Sequence, residues 1–205
     1  MLQPPSMNSE LIASKLAETG WAHIPDFISR ELALAILDEA QSMKASGLFK
    51  PAGVGRSSSI QESLRRDEIL WLDEKSLTPS IASLWAQLES FRFEMNERLF
   101  LSLREFEAHL ASYDAGAYYG KHVDRFRDDD RRTISMVLYL NPDWLEADGG
   151  LLKMSTDVGE QTFLPEAGSM VCFMSDRIEH EVTLSHRQRW SIAAWFKRGS
   201  QTGLP

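Results

Sequence analysis

The chain has 205 residues, 43% of them hydrophobic and 25% charged, with a net charge of −8. That length suits a single domain over 1–205 with a core that needs no covalent staples. The acidic balance argues against an obligate nucleic-acid binder, and a lone cysteine, Cys172, excludes an internal disulfide and a cysteine-based zinc site.

The first hundred residues read as helical support. Ser9 is placed to cap a helix ending near Gly20. Ser29 is placed to cap a second, with Leu32, Ile36, Ala40 and Met43 on one face and Gly47 at its end. Thr78 and Pro79 open a third, in which Ile81, Leu84, Trp85, Leu88, Phe91, Met95 and Leu99 recur at helical spacing. Between the second and third lies a glycine- and serine-rich stretch, Gly53 to Arg66, expected to be mobile, and then a short strand near Ile69 to Leu72. No run reaches transmembrane length and no leader pattern precedes the first helix, so a cytoplasmic placement with no membrane partner is expected.

From about Leu103 to 198 the pattern changes to strands. Thr133 to Leu140 alternates, with Ile134, Met136, Leu138 and Leu140 on one face and Thr133, Ser135, Val137 and Tyr139 on the other. Asp148-Gly149-Gly150 reads as a turn before a strand at Leu151 to Met154. Further strands follow at Ser169 to Met174, His180 to Leu184 and Arg189 to Lys197, with a turn at Ser185 to Gln188. Such spacing predicts an α+β, mainly β chain: a sandwich or barrel packed on helices. The run "RFRDDDRR", from Arg125 to Arg132, reads as a solvated charged loop.

"KHVDRF", from Lys121 to Phe126, carries the chemistry. On a strand His122 and Asp124 project from one face while Val123 faces away. A second histidine would complete the two-histidine, one-carboxylate set of non-haem Fe(II) sites. His180 is the best candidate, because it opens a strand and shares its face with Val182. His23 and His109, in or beside the helical half, lack partners nearby, and His186 falls in an exposed turn. Alone, a His-x-Asp pair is a weak signal, since it arises often by chance. The last strand strengthens it. Trp190, Ile192, Ala194 and Phe196 form an apolar face, so Arg189, Ser191, Ala193 and Trp195 line something other than core. A guanidinium there needs an anion, and its planar fork suits a carboxylate. Tyr139 and Ser135 could add hydroxyls.

The segments "YDAGAYYGKHVDRF", "RRTISMVLYLNPDWLEADGGLLKM", "FMSDRIEHEV" and "RWSIAAWF" together resemble the 2-oxoglutarate- and Fe(II)-dependent oxygenases. More narrowly they resemble the prolyl hydroxylase domain group, which includes the hypoxia-inducible-factor prolyl 4-hydroxylases and bacterial relatives. "LRRDEILWLDE" and "GWAHIPDFIS" extend the resemblance upstream. It implies a double-stranded β-helix (jelly roll) on N-terminal helices, with His122, Asp124 and His180 as iron ligands. Arg189 and Tyr139 would hold the far carboxylate of 2-oxoglutarate, with Tyr113 near its chelating end. Trp195, Tyr119, Arg132, Arg65 and Asp67 fall where the group contacts its peptide or orders its loop. The implied cofactors are Fe(II), 2-oxoglutarate as cosubstrate, O2 and ascorbate. The implied partner is a protein bearing a target proline, a transcription or translation component, met by a monomer. Ala193 stands where animal members carry a hydroxyl, so Ser191 or Ser135 is expected as the second partner of Arg189. The chain ends ten residues after Trp195 and has no zinc-finger segment, which favours a compact bacterial member. Two other readings stay open: a hydroxylase of a free amino acid or other small molecule, and a non-catalytic jelly-roll binding module. A nucleic-acid demethylase is disfavoured by the acidic charge.

Overall fold

The structure, a computed structural model, describes residues 9–53, 64–125 and 130–199. Most of the Gly53–Arg66 stretch and Phe126 therefore lie outside the described residues. The described chain opens in α1 (Ser9–Thr19), so Ser9 is itself helical, and Gly20 stops the helix at φ +81°. β1 (Trp21–Ile24) leads to α2 (Arg30–Ala45), where the Ser29 side chain accepts the amide of Leu32 at 3.2 Å as its N-cap. Two short strands, β2 (Lys50–Pro51) and β3 (Glu68–Trp71), precede α3 (Pro79–Leu99). Thr78 occupies the α3 N-cap position, yet its hydroxyl does not cap the helix. It donates to Glu39 of α2, and the other oxygen of that carboxylate accepts the Ser80 amide at 3.2 Å. A neighbouring helix thus supplies the acceptor that the free N–H groups of a helix start require.

The strand half runs β4 (Leu103–Tyr113), β5 (Tyr119–His122), β6 (Arg132–Tyr139), β7 (Leu152–Thr156), β8 (Gly159–Phe163), β9 (Met170–Met174), β10 (Glu179–Val182) and β11 (Arg189–Arg198). These form two antiparallel sheets, one ordered β1-β9-β6-β11-β4-β3-β2 and the other β5-β10-β7-β8. Alternation sorts the side chains of the larger sheet. Ile134, Met136, Leu138, Trp190, Ile192, Ala194 and Phe196 join Phe106, Ala108 and Leu110 in a core against the helices, including Ile12, Ile36, Leu84, Leu88 and Phe91. The opposite face meets the smaller sheet, where Tyr139, Val171 and Phe173 pack with Leu152, Met154 and Phe163. Among the described residues, no helix is long and apolar enough to cross a membrane.

Candidate metal and cosubstrate site

β5 and β10 pair antiparallel with His180 directly opposite His122. Asp124 lies two residues beyond β5, so strand register and one extended step bring three donors together. His122 Nε2 is 3.4 Å from Asp124 Oδ1, and His180 Nε2 is 3.6 Å from Oδ2. All three donor atoms lie within 4.8 Å of one another. The remaining ring nitrogens fix the tautomers. His122 Nδ1 faces the Gly120 carbonyl at 2.9 Å and His180 Nδ1 faces the Ile178 carbonyl at 3.1 Å. A carbonyl can only accept, so each Nδ1 carries the proton and each Nε2 offers a lone pair. Burial holds His180 neutral, with its pKa lowered to about 4 although Asp124 opposes the shift. Burial would raise the Asp124 carboxyl, but His180, His122 and the Ser135 hydroxyl outweigh it and keep the group well below the usual carboxylate range. A buried carboxylate beside imidazole lone pairs fits a divalent cation, and this donor set suits Fe(II).

The triad lines a cavity of about 280 Å³ between the two sheets. Arg189 lies on the same cavity and is 1% exposed. Its Nε donates to the Gly150 carbonyl at 2.8 Å and its Nη1 to Ser191 Oγ at 3.0 Å. The second Nη and the Tyr139 hydroxyl are buried without a hydrogen-bond partner. The Arg189 guanidinium stands 4.9 Å from the Tyr113 ring centre and 5.3 Å from that of Tyr139. Among the described residues no carboxylate pairs with it. A buried cation flanked by an orphan donor and an orphan hydroxyl has the chemistry that suits a small carboxylate.

The Asp148-Gly149-Gly150 turn explains how that arrangement is built. Gly150 has φ +63°, and a Cβ there would lie 2.9 Å from Arg189 Cδ and 3.0 Å from Ser185 Oγ. Only glycine lets the backbone carbonyl approach the guanidinium so closely.

The other expected residues divide. Ser191 meets Arg189, but Ser135 does not. Its place in β6, opposite Trp195 rather than Ser191, puts its Oγ 2.9 Å from Ser175 Oγ and beside Asp124. Of the two serines, Ser191 is therefore the one that meets Arg189, and Ser135 lies beside the Asp124 carboxylate. Tyr119 stacks on His122, centroids 3.7 Å apart, with the Arg65 guanidinium 4.1 Å above it. Arg65 is held bidentately by Asp67 at 2.7 and 2.5 Å, and Asp67 is buried. Arg132 donates to Glu107 at 3.1 and 2.7 Å and to the Asp124 carbonyl at 3.3 Å, and it lies 3.9 Å over the Trp195 ring. Arg125, at the start of the charged run, pairs with Asp176 at 3.0 Å and Asp130 at 3.2 Å. His109 departs from the expectation of a histidine beside the helical half without partners. It sits in β4, lines the cavity and contacts two indoles. The β4 alternation that places it with Ala111 and Tyr113 was the signal for this. Nothing in the sequence pointed to the Gly150 carbonyl beyond the paired glycines.

The chain matches the family model described as the 2OG-Fe(II) oxygenase superfamily over residues 108–197. It is similar to the hypoxia-inducible factor prolyl hydroxylase of Caenorhabditis elegans, 28% identical over 207 residues, covering 94% of this chain and 28% of that protein. A PKHD-type hydroxylase of Thermosynechococcus vestitus is 35% identical over 93 residues, 43% of this chain and 41% of that one. The chain thus spans less than half the length of these curated relatives. Among solved structures, a Pseudomonas putida prolyl-4-hydroxylase superposes with a TM-score of 0.86 at 37% identity, covering 94% of this chain and all of that one. A Trichoplax adhaerens prolyl hydroxylase bound to a hypoxia-inducible factor peptide fragment gives a TM-score of 0.86 at 23% identity, covering 92% and 88%, and speaks to the fold alone.

Proposed function

The chain belongs to the 2OG-Fe(II) oxygenase superfamily, whose double-stranded β-helix it adopts, and we propose that it hydroxylates a prolyl residue of a protein substrate at the 4-position. The observation that carries the reading is the pairing, in one cavity, of the His122–Asp124–His180 donor set with the buried, carboxylate-less Arg189. Prolyl chemistry is inferred from the full-length likeness to the Pseudomonas putida prolyl-4-hydroxylase. A protein substrate is inferred from the cavity reaching the surface beside two exposed apolar residues, Trp71 and Val123.

The family uses Fe(II), 2-oxoglutarate and O2, a set that supplies oxygen insertion into an unactivated C–H bond as 2-oxoglutarate is converted to succinate and CO2. His122, Asp124 and His180 would hold the metal by three positions and leave the others open. The Gly120 and Ile178 carbonyls keep the two rings aimed, and Ser135 and Arg132 brace Asp124 at its carboxylate and carbonyl. Arg189 would pair with the far carboxylate of the cosubstrate, and Tyr139 would donate its hydroxyl proton to it. Burial, the larger effect, raises the Tyr139 pKa above its ordinary value, so the phenol stays protonated as a donor at neutral pH. Leu152 and Val182, both buried, give the same cavity apolar lining. Binding and positioning are the protein's share of the catalysis.

The test is incubation of the iron-loaded protein with 2-oxoglutarate and cell-lysate proteins, followed by mass spectrometry. Succinate release and a gain of one oxygen on a prolyl residue are expected. Oxygen gained only on added free proline would replace the protein substrate with a free amino acid, and no succinate under any condition would remove the enzyme assignment.

A further inference from the structure

Beyond the donor triad, three rings stand in mutual contact along the same cavity. Trp71 meets His109 edge-on with centroids 5.0 Å apart, His109 lies 5.2 Å from Trp195, and the two indoles are 6.0 Å apart. Sheet register produces the cluster. Trp71 is directly across from His109, His109 is across from Ala193, and Trp195 follows two residues along β11 on the same face. The neighbouring charges are already engaged, Arg65 with Asp67 and Arg132 with Glu107. Burial holds His109 neutral, its pKa lowered to about 4.

Two groups in this cluster are unsatisfied in opposite senses. Trp195 is only 9% exposed, and its Nε1 is buried without a hydrogen-bond partner. Trp71 leaves half its surface, 50%, in water. An extended peptide in the cavity would answer both, with a main-chain carbonyl for the Nε1–H and an apolar side chain for the open indole.

We propose that Trp71, His109 and Trp195 form a specificity wall that selects an apolar side chain beside the target proline. The wall is uncharged, and the guanidiniums at its edge are paired, so it offers nothing to an acidic or basic neighbour. This proposal rests on the prolyl reading above and names the substrate's flanking chemistry.

The test uses the full chain loaded with Fe(II) and 2-oxoglutarate under nitrogen, where peptides bind without turnover. The probes are alanine–glycine host peptides with one proline and leucine, phenylalanine, glycine, aspartate or lysine at each adjoining position. Calorimetry should give a Kd about tenfold lower for leucine or phenylalanine than for glycine at one of those positions. Trp71→Ala should abolish that ratio, the leucine, phenylalanine and glycine peptides then binding with Kd values within about twofold of one another. His109→Ala should shrink the same ratio. Equal or absent binding across the series, or a ratio unchanged in both variants, overturns the wall. Admitting air then separates the two claims. Oxygen on proline without any neighbour preference rejects the wall and keeps the prolyl reading. Neighbour preference without oxygen on proline keeps the wall and rejects that reading.

Discussion

Arg189 concentrates the energetics of the site in one side chain. Its guanidinium is buried, donates to a backbone carbonyl and a serine hydroxyl, and keeps one Nη unpartnered. A carboxylate arriving there gains a charge-assisted pair without having to order the side chain first. Arg189→Ala should therefore weaken 2-oxoglutarate binding by roughly 1.5–3 kcal/mol, about 10- to 100-fold in Kd. Calorimetry on metal-loaded protein reads this directly, and an unchanged Kd would place the carboxylate elsewhere. Gly150→Ala should act on the same Kd from outside the contact, because the added methyl meets Arg189 Cδ at 2.9 Å on a backbone with φ +63°. A loss of 2-oxoglutarate affinity with little change in metal affinity is the expected split. Arg189 was legible in the sequence because the alternate positions of its strand are all apolar. The choice between Ser191 and Ser135 was not legible, because alternation gives a residue's face but not its place along the strand, and that place sets Ser135 beside Asp124.

At the scale of elements, the helices show where sequence patterns suffice and where they stop. The α3 stripe is legible because five of its residues, Ile81, Leu84, Leu88, Phe91 and Met95, are buried at helical spacing. Phe91 is fully buried and touches both Phe27 and Phe196, so it joins the helix to the larger sheet. Phe91→Ala should cost roughly 3–5 kcal/mol, read as a lower urea midpoint with an unchanged slope. The cap of the same helix was not legible, since its acceptor, Glu39, lies thirty-nine residues before Thr78. Glu39→Ala should cost about 1 kcal/mol in the same assay, within the range of lost caps. A loss no larger than that of a surface substitution would show that Thr78 and Ser80 find other acceptors. β8 escaped notice for a different reason. As an edge strand it buries only Phe163, so it carries no apolar alternation to detect.

Taken whole, the molecule packs helices on one face of a seven-stranded sheet and keeps its polar chemistry on the other, against a four-stranded sheet. That division lets ionisable groups such as His109 and Asp124 be buried without disturbing the helical core. It also ties stability to pH. His109 is 3% exposed, and burial is the main cause of its depressed pKa of about 4, with Arg65 and Arg132 adding to it and Asp67 opposing. The unfolded chain binds a proton at this histidine as pH falls below about 6.5, whereas the folded chain resists until near pH 4. Its folded pKa is the lower one, so the contribution is present above pH 6.5 and is lost on acidification. Between pH 7 and pH 5 that loss is roughly 2 kcal/mol. Urea unfolding of metal-free protein at the two pH values should show this drop, and His109→Met, which fills similar space without a titrating group, should shrink it by about that amount. An identical pH dependence in wild type and variant would mean that His109 is protonated inside the fold. The aromatic wall would then carry a positive charge at acidic pH, and the preference for an apolar neighbour should weaken there.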